Sequence, residues 1–195
     1  MAPIDRGVRL VLVALLLAIA IGLATRGRIS GLSTLRIRFA PLAIVGLILQ
    51  FLSPSRGNWP YLLLMLSFVL LVVFVAANLR VRGFPMILAG VLMNFLAIAA
   101  NHGMPVTPHA LDASGQHDTL SELIRSGGEK HHLAGPGDRL LFLSDVTPIR
   151  PPVAQAVSAG DLVAYVGVAY VVISAMRRRR SEPSPGVILQ STAGG

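Results

Sequence analysis

Residues 60–79 read PYLLLMLSFVLLVVFVAANL, a stretch of 20 residues without a charged side chain. A helix of this length rises about 30 Å, which matches the hydrocarbon core of a bilayer. Leucine, valine and phenylalanine dominate the stretch, and polar side chains are few. It therefore predicts a transmembrane helix, and the rest of the chain is interpreted around it.

Four further apolar blocks accompany this stretch, at residues 8–24, 36–53, 84–101 and 161–176. The block at 36–53 spans a bilayer only if Arg36 and Arg38 extend their side chains to the membrane surface. Apolar residues make up 53% of the chain and charged residues only 13%, so a soluble fold would lack polar surface to cover its core. We expect an all-α fold, an integral membrane bundle of five transmembrane helices in residues 1–176, followed by a basic, disordered cytoplasmic tail at 177–195.

The arginines between the apolar blocks set the expected orientation. Ten of them follow the first, third and fifth blocks: Arg26, Arg28, Arg36, Arg38, Arg80, Arg82 and the run 177–180. Because arginine-rich connections stay in the cytoplasm, the N-terminus is expected outside and the C-terminus inside. This segregation also argues against nucleic-acid binding, despite the net charge of +8. A cleaved signal peptide over the first block is an alternative, although cleavage would leave four of these arginines outside.

Residues 102–160 form a long connection that this orientation places outside the cytoplasm. It holds all five histidines, the only lysine and six of the nine acids. Only residues 119–125 read as a short helix, with Thr119 as its N-cap. The apolar run at 140–143 is expected to fold back onto the bundle. Loops of this length are commonly functional or disordered.

Polar and small residues inside the spans fall on single helix faces. The stripes are Gly90, Asn94, Ala97 and Asn101 on the fourth span, Ala43, Gly46, Gln50 and Ser53 on the second, and Ser67 with Asn78 on the third. Their spacings of three and four residues, or eleven, place each set on one face. Within a membrane such faces contact protein rather than lipid.

Several polar residues meet at the outer ends of the helices. Asn101 and His102 end the fourth span, and Asp161 begins the fifth. Asp161 is interpreted either as a helix cap or as part of a site. A buried carboxylate needs a partner, so Asp145 and Asp161 are expected in one cluster. The other expected members are Asn101 and at least one of Lys130 and His131.

Four motifs in the second half of the chain carry a resemblance: NHGMPV at 101–106, KH at 130–131, LSDVTP at 143–148 and SAGD at 158–161. In this order they resemble a bacterial membrane family catalogued as domain of unknown function 5317. The resemblance runs from about the first span through the fifth. It implies a multi-pass protein of the bacterial cell membrane, and it implies no activity.

Binding through the outer loop is the first of three functions that the sequence leaves open. A protein partner, lipid headgroup or small ligand would contact the binding residues Asn101, His102, Lys130 and His131. The bilayer itself is an expected partner, and an arginine run suits anionic lipid headgroups, namely Arg177, Arg178, Arg179 and Arg180. No cofactor is expected.

A hydrolase is the second open function. Asp145 and Asp161 would share a proton and activate water, since two close carboxylates cannot both ionise cheaply. This layout is similar to that of the lipoprotein signal peptidases, which hold two aspartates near the outer membrane face.

A metal site made of loop histidines and one aspartate is the third open function. However, no HExxH or comparable ligand spacing occurs, and the chain has no cysteine. We therefore expect no metal.

Overall fold

The computed structural model describes residues 6–52, 58–128 and 130–178. Within these ranges the α-helices are α1 (Arg6–Ala24), α2 (Ala40–Phe51), α3 (Trp59–Ala76), α4 (Phe84–Asn101), α5 (Pro108–Ala113), α6 (His117–Ser126) and α7 (Ala159–Met176). Four short strands accompany them: β1 (Met104–Val106), β2 (His131–Leu133), β3 (Thr147–Ile149) and β4 (Gln155–Val157). Two 3₁₀ helices lie at Ile29–Thr34 and Leu141–Leu143.

Three helices, α3, α4 and α7, are each long and apolar enough to cross a membrane. The bounds of α4 match the predicted block at 84–101, and α3 and α7 lie within three residues of their predicted bounds. Helix α1 begins at Arg6, two residues before the predicted start. Of the predicted tail, only residues 177 and 178 fall within the described ranges.

Helix α2 is shorter than the predicted span at 36–53, and the prediction that Arg36 and Arg38 belong to it is wrong. Phe39, just before the helix, has a left-handed backbone with φ of 55°. The Asn78 side chain accepts a hydrogen bond from the Arg38 N–H and donates one to the Arg38 carbonyl, both at 2.8 Å. These bonds hold residue 38 outside the helix. The remaining 12 residues rise only about 18 Å.

The long helices pack in the order α1, α7, α4, α3, α2, each against the next. At one end of the bundle the Arg28 N–H donates to the Met176 carbonyl at 2.8 Å. We call this the arginine end, because the described arginines that follow α1, α3 and α7 lie there. The opposite end, which we call the cap end, carries residues 102–158.

The buried members of the polar stripes contact protein, as predicted. Ser67 is fully buried, and Asn78 and Asn94 are buried as well. Gly46 of α2 packs against the Ser67 carbonyl of α3, where an added Cβ would lie 3.2 Å from the oxygen. Gln50 is half-buried, and Ser53 lies outside the described residues.

Helices α4 and α7 approach each other closely at Gly90 and Gly160. A Cβ atom added to Gly160 would meet the Asn94 side-chain oxygen and, at 2.7 Å, the Gly90 carbonyl oxygen. One added to Gly90 would meet the Gly160 carbonyl oxygen and the backbone nitrogen of Ala164. Small residues at both positions therefore let the two backbones touch.

The connection between α4 and α7 is a folded cap, which contains short strands that the sequence did not predict. β1 pairs in parallel with β2, and β3 pairs antiparallel with β4. Helices α5 and α6 close a core made of Val106, Ala110, Leu111, Leu123 and Ala156. The strands have three residues each, which is too short for an alternation of apolar and polar residues to predict them. The fold is mostly helical.

Helix α6 begins at His117, two residues before the predicted N-cap Thr119. Asp118 lies in its first turn, where a negative charge is favourable against the helix dipole. The expectation for the apolar run at 140–143 is confirmed. Leu143 is buried in a cluster with residues of α3 and α4, among them Phe68 and Ile98.

Candidate functional site

Asp161 links α7 to α4 at the cap end. Its N–H donates to the Ser158 hydroxyl at 2.9 Å, and its Oδ2 accepts from the Ser158 N–H at 3.1 Å, which together form a capping box. The Asn94 amide donates to Asp161 Oδ1 at 2.7 Å, and the Ser158 hydroxyl donates to Asn94 Oδ1 at 2.8 Å. Both carboxylate oxygens are satisfied, so Asp161 acts as a cap and as a bridge between helices.

The backbone of Asp145 pairs with the segment around β1 of the cap. Its N–H donates to the Pro105 carbonyl at 3.1 Å, and its own carbonyl accepts from the Thr107 N–H at 3.2 Å. Through these bonds it forms a parallel bridge with Val106, on the edge of the sheet of β1 and β2. These main-chain bonds fix the backbone of Asp145 and so determine where its carboxyl group lies.

The Asp145 carboxyl group is buried and poorly partnered. The residue is 8% exposed, and Oδ1 finds no hydrogen-bond partner among the described residues. Oδ2 lies 3.8 Å from Nε2 of His131, which is beyond hydrogen-bonding distance. Burial, and next the negative charge of Asp161, raise the pKa of Asp145 well above its usual value. This carboxyl group therefore holds a proton more strongly than an exposed aspartate does.

Two neighbours complete what we call the Asp145 cluster, defined as Ser144, Asp145 and His131. The Ser144 hydroxyl is buried and, like Asp145 Oδ1, has no hydrogen-bond partner among the residues described. The His131 side chain is about half exposed, at 54%. The cluster combines unsatisfied buried polar atoms with a side chain that solvent reaches. Such atoms in a folded protein call for an explanation, because each lacks a bond that water would have supplied.

Asp145 lies 3.8 Å from His131 and within range of the charge of Asp161, whereas the other predicted site residues bind elsewhere. Asn101 binds the backbone of Arg139, accepting from its N–H at 2.7 Å and donating to its carbonyl at 2.8 Å. The Lys130 ammonium donates to the carbonyls of Gln50 and Leu52. It thus caps the C-terminal end of α2, where a cation is favourable.

His102 also has a structural place. It ends α4 with a left-handed backbone (φ 56°) and stacks on Tyr61, with ring centroids 5.3 Å apart. The charge of Asp161 acts on Asp145, yet the hydrogen bonds of Asp161 go to Asn94 and Ser158. A hydrolase pair has to share a proton between its two carboxyl groups. Among these contacts no hydrogen bond joins Asp145 to Asp161.

Sequence reasoning missed Ser158 and the pair of His132 with Asp138. Ser158 stands three residues before Asp161, a spacing typical of a capping box, so a signal was present. His132 Nε2 lies 3.0 Å from Asp138 Oδ1, and Asp138 Oδ2 accepts from the Gly135 N–H at 2.8 Å. Nothing in the local sequence separates this pair from surface residues. Among the described residues no group of three His, Cys, Asp or Glu side chains could hold a metal ion.

Comparison with known proteins gives a family and no activity. No curated protein and no solved structure matches the chain. A family model described as "Family of unknown function (DUF5317)" matches residues 34–173, which is more than two thirds of the 195 residues. The match covers α2 through most of α7 and begins after α1, so the resemblance is confirmed for four of the five predicted spans. The chain belongs to the DUF5317 family of unknown function.

Proposed function

We propose that the chain is a multi-pass protein of the bacterial cell membrane, with α1, α2, α3, α4 and α7 in the bilayer. Large apolar side chains more than half exposed occur on all five helices, for example Leu16, Ile44, Leu62, Leu96 and Val166. In water such surfaces would be unfavourable, and lipid would cover them. Arg38, just before α2, is tied to Asn78 at the arginine end, and Lys130 holds the last carbonyls of α2 at the cap end. Together with its flanking residues, the short α2 therefore extends from the arginine end to the cap end, as α3 does.

The orientation we propose places the arginine end in the cytoplasm and the cap outside. The chain has no cysteine, so single cysteines can be introduced without background. Ser121→Cys on α6 and Ser33→Cys at the arginine end are both at exposed positions. In intact cells a membrane-impermeant maleimide should label Ser121→Cys strongly and Ser33→Cys only after permeabilisation. Labelling of Ser33→Cys alone in intact cells would reverse the orientation.

We further propose that the cap binds a ligand through the Asp145 cluster, and that the ligand presents a primary ammonium group there. The observation that carries this proposal is the buried Asp145 carboxyl group with one unsatisfied oxygen beside the half-exposed His131. An ammonium group supplies the hydrogen-bond donors that Asp145 lacks and a positive charge that favours its ionised form. Since the cation displaces the proton from Asp145, binding should strengthen as pH rises towards the raised pKa.

Ethanolamine and spermidine can serve as probes of this site with the protein in detergent. We expect both amines to raise the melting temperature relative to sodium chloride of equal ionic strength, and the increase to grow as pH rises. Asp145→Asn should weaken binding at least about tenfold, the loss of one charge-assisted contact. Asp112→Asn is the matched control, because it removes a carboxylate of the same cap whose side chain is 68% exposed. Equal effects of the two substitutions would refute a site at Asp145.

A membrane hydrolase using Asp145 and Asp161 is the alternative. The observation in its favour is that the charge of Asp161 raises the pKa of Asp145, as expected for a carboxylate pair that divides acid and base roles. This function predicts turnover of a substrate that both Asp145→Asn and Asp161→Asn abolish, with membrane insertion unchanged. Ligand binding alone predicts that saturation with an amine probe occurs without any chemical change in the probe.

A further inference from the structure

A cavity of about 360 Å³ opens at the arginine end, away from the Asp145 cluster. It is lined by Arg82, Tyr170, Ile173, Ser174, Arg177 and Arg178. Arg82 comes from the turn between α3 and α4, and the other residues come from the last turns of α7 and the residues that follow it. Two separate segments of the chain thus bring three guanidinium groups to one cavity.

The charge around this cavity is positive, and no acidic side chain in the described part of the chain lies there to neutralise it. The described acids all lie in the cap or at the first turn of α7: Asp112, Asp118, Glu122, Asp138, Asp145 and Asp161. The ion pairs found among the described residues lie in the cap, and none involves Arg82, Arg177 or Arg178. Three like charges around one cavity repel each other unless an anion lies between them.

The hydrogen-bonding groups indicate what kind of anion fits. Guanidinium groups present paired N–H donors that match phosphate oxygens in a bidentate geometry. The Ser174 hydroxyl already donates to the Val171 carbonyl at 3.1 Å, so its oxygen remains available as an acceptor. Tyr170 is 47% exposed and lines the same cavity. Tyrosine at the level of lipid headgroups is common in membrane proteins.

We propose that this cavity binds a phosphoryl group with an attached hydroxyl, as in the headgroup of phosphatidylglycerol. The three arginines hold the phosphate, and a headgroup hydroxyl donates to Ser174. This assignment rests on the membrane location proposed above, because basic pockets beside transmembrane helices on the cytoplasmic side bind anionic headgroups. The volume of about 360 Å³ is in the range of small-ligand sites. Arg179 and Arg180, which the sequence also assigned to headgroup binding, lie outside the described residues.

The test compares lipid-dependent stability of the full chain in detergent micelles. Addition of phosphatidylglycerol should raise the melting temperature of the wild-type protein by several degrees, whereas phosphatidylcholine should not. Arg82→Gln and Arg178→Gln should each remove at least half of this shift. Arg80→Gln is the matched control, since it removes the same charge from the same turn but does not line the cavity. It should keep the full shift.

A second arm separates lipid from soluble phosphate. Glycerol 3-phosphate and inorganic phosphate, compared with sodium chloride at equal ionic strength, should give less than half of the shift. A full shift with either soluble anion would assign the site to a free phosphoryl compound and overturn the lipid. Equal losses in Arg80→Gln and Arg82→Gln, or equal shifts with both lipids, would overturn the site itself. Failure of the membrane location would appear separately, as release of the wild-type chain from membranes by alkaline carbonate.

Discussion

Replacing Gly160 by alanine should lower the free energy of unfolding by about 3 kcal/mol, the upper end of the range for overpacking a tight interface. The added methyl group would meet the Asn94 side-chain oxygen and the Gly90 carbonyl oxygen. Neither can retreat easily, since one is backbone and the other is hydrogen-bonded to Ser158. The substitution would push α4 from α7 and disrupt the bonds that hold Asp161. Unfolding by sodium dodecyl sulfate, followed by circular dichroism, would measure the loss.

Gly137→Ala provides the control for this prediction. A Cβ atom at Gly137 has no neighbour within 4 Å, so the same substitution should change the free energy of unfolding by less than about 0.5 kcal/mol. Similar losses at both positions would mean that α4 and α7 are not in backbone contact.

The substitutions Asp161→Asn and Asp145→Asn should change the stability of the protein in opposite directions. Asp161→Asn should destabilise the protein by about 2 kcal/mol at neutral pH, because an amide cannot accept from both Asn94 and Ser158 with its two terminal atoms. Asp145→Asn should stabilise it by about 1 to 3 kcal/mol at alkaline pH, because it removes a buried charge with an unsatisfied oxygen. Thermal and detergent unfolding of both variants would measure the two effects.

The pH dependence gives this prediction a second readout. The pKa of Asp145 is raised in the folded state, by burial first and by Asp161 second. Its contribution to stability is therefore complete below the unfolded pKa, near 4, and is lost as pH rises through the folded pKa. The advantage of Asp145→Asn over the wild type should grow across that window and vanish at the acid end. An Asp145→Asn protein that is less stable than wild type at every pH would contradict an unsatisfied carboxylate and favour a structural clamp.

The helices of the bundle could be predicted from hydropathy because each depends on a local property, a long apolar run. The bounds of α4 follow directly from the change in composition at Phe84 and Asn101. The start of α2 could not be found in this way. It depends on Asn78, which lies 40 residues further along the chain and holds the backbone of Arg38. A tertiary contact of this kind overrides the local apolar pattern.

The site was predictable only in its coarse position. Helix topology brings the start of α7 and the end of α4 to one end of the bundle, so Asp161 and Asp145 could be expected near each other. The partners could not be assigned, because several donors were plausible for each carboxylate. Ser158 satisfies Asp161 through a local motif, whereas Oδ1 of Asp145 has no hydrogen-bond partner in the described part of the chain. The short cap strands add to the difficulty, since three-residue strands carry almost no periodicity.

Three side chains, those of Asn78, Asn101 and Lys130, form hydrogen bonds with main-chain atoms, and such contacts are hard to detect by comparing sequences. Asn101 holds the backbone of Arg139, and Lys130 holds the carbonyls of Gln50 and Leu52. A main-chain acceptor is present whatever side chain stands at that position. Substitutions at the partner position therefore need no compensating change at residue 78, 101 or 130, and covariation between aligned sequences would give no signal for these contacts. Methods that infer structure from covarying pairs would therefore detect side-chain contacts, such as the packing of Leu143 against Phe68 and Ile98, and would miss these three.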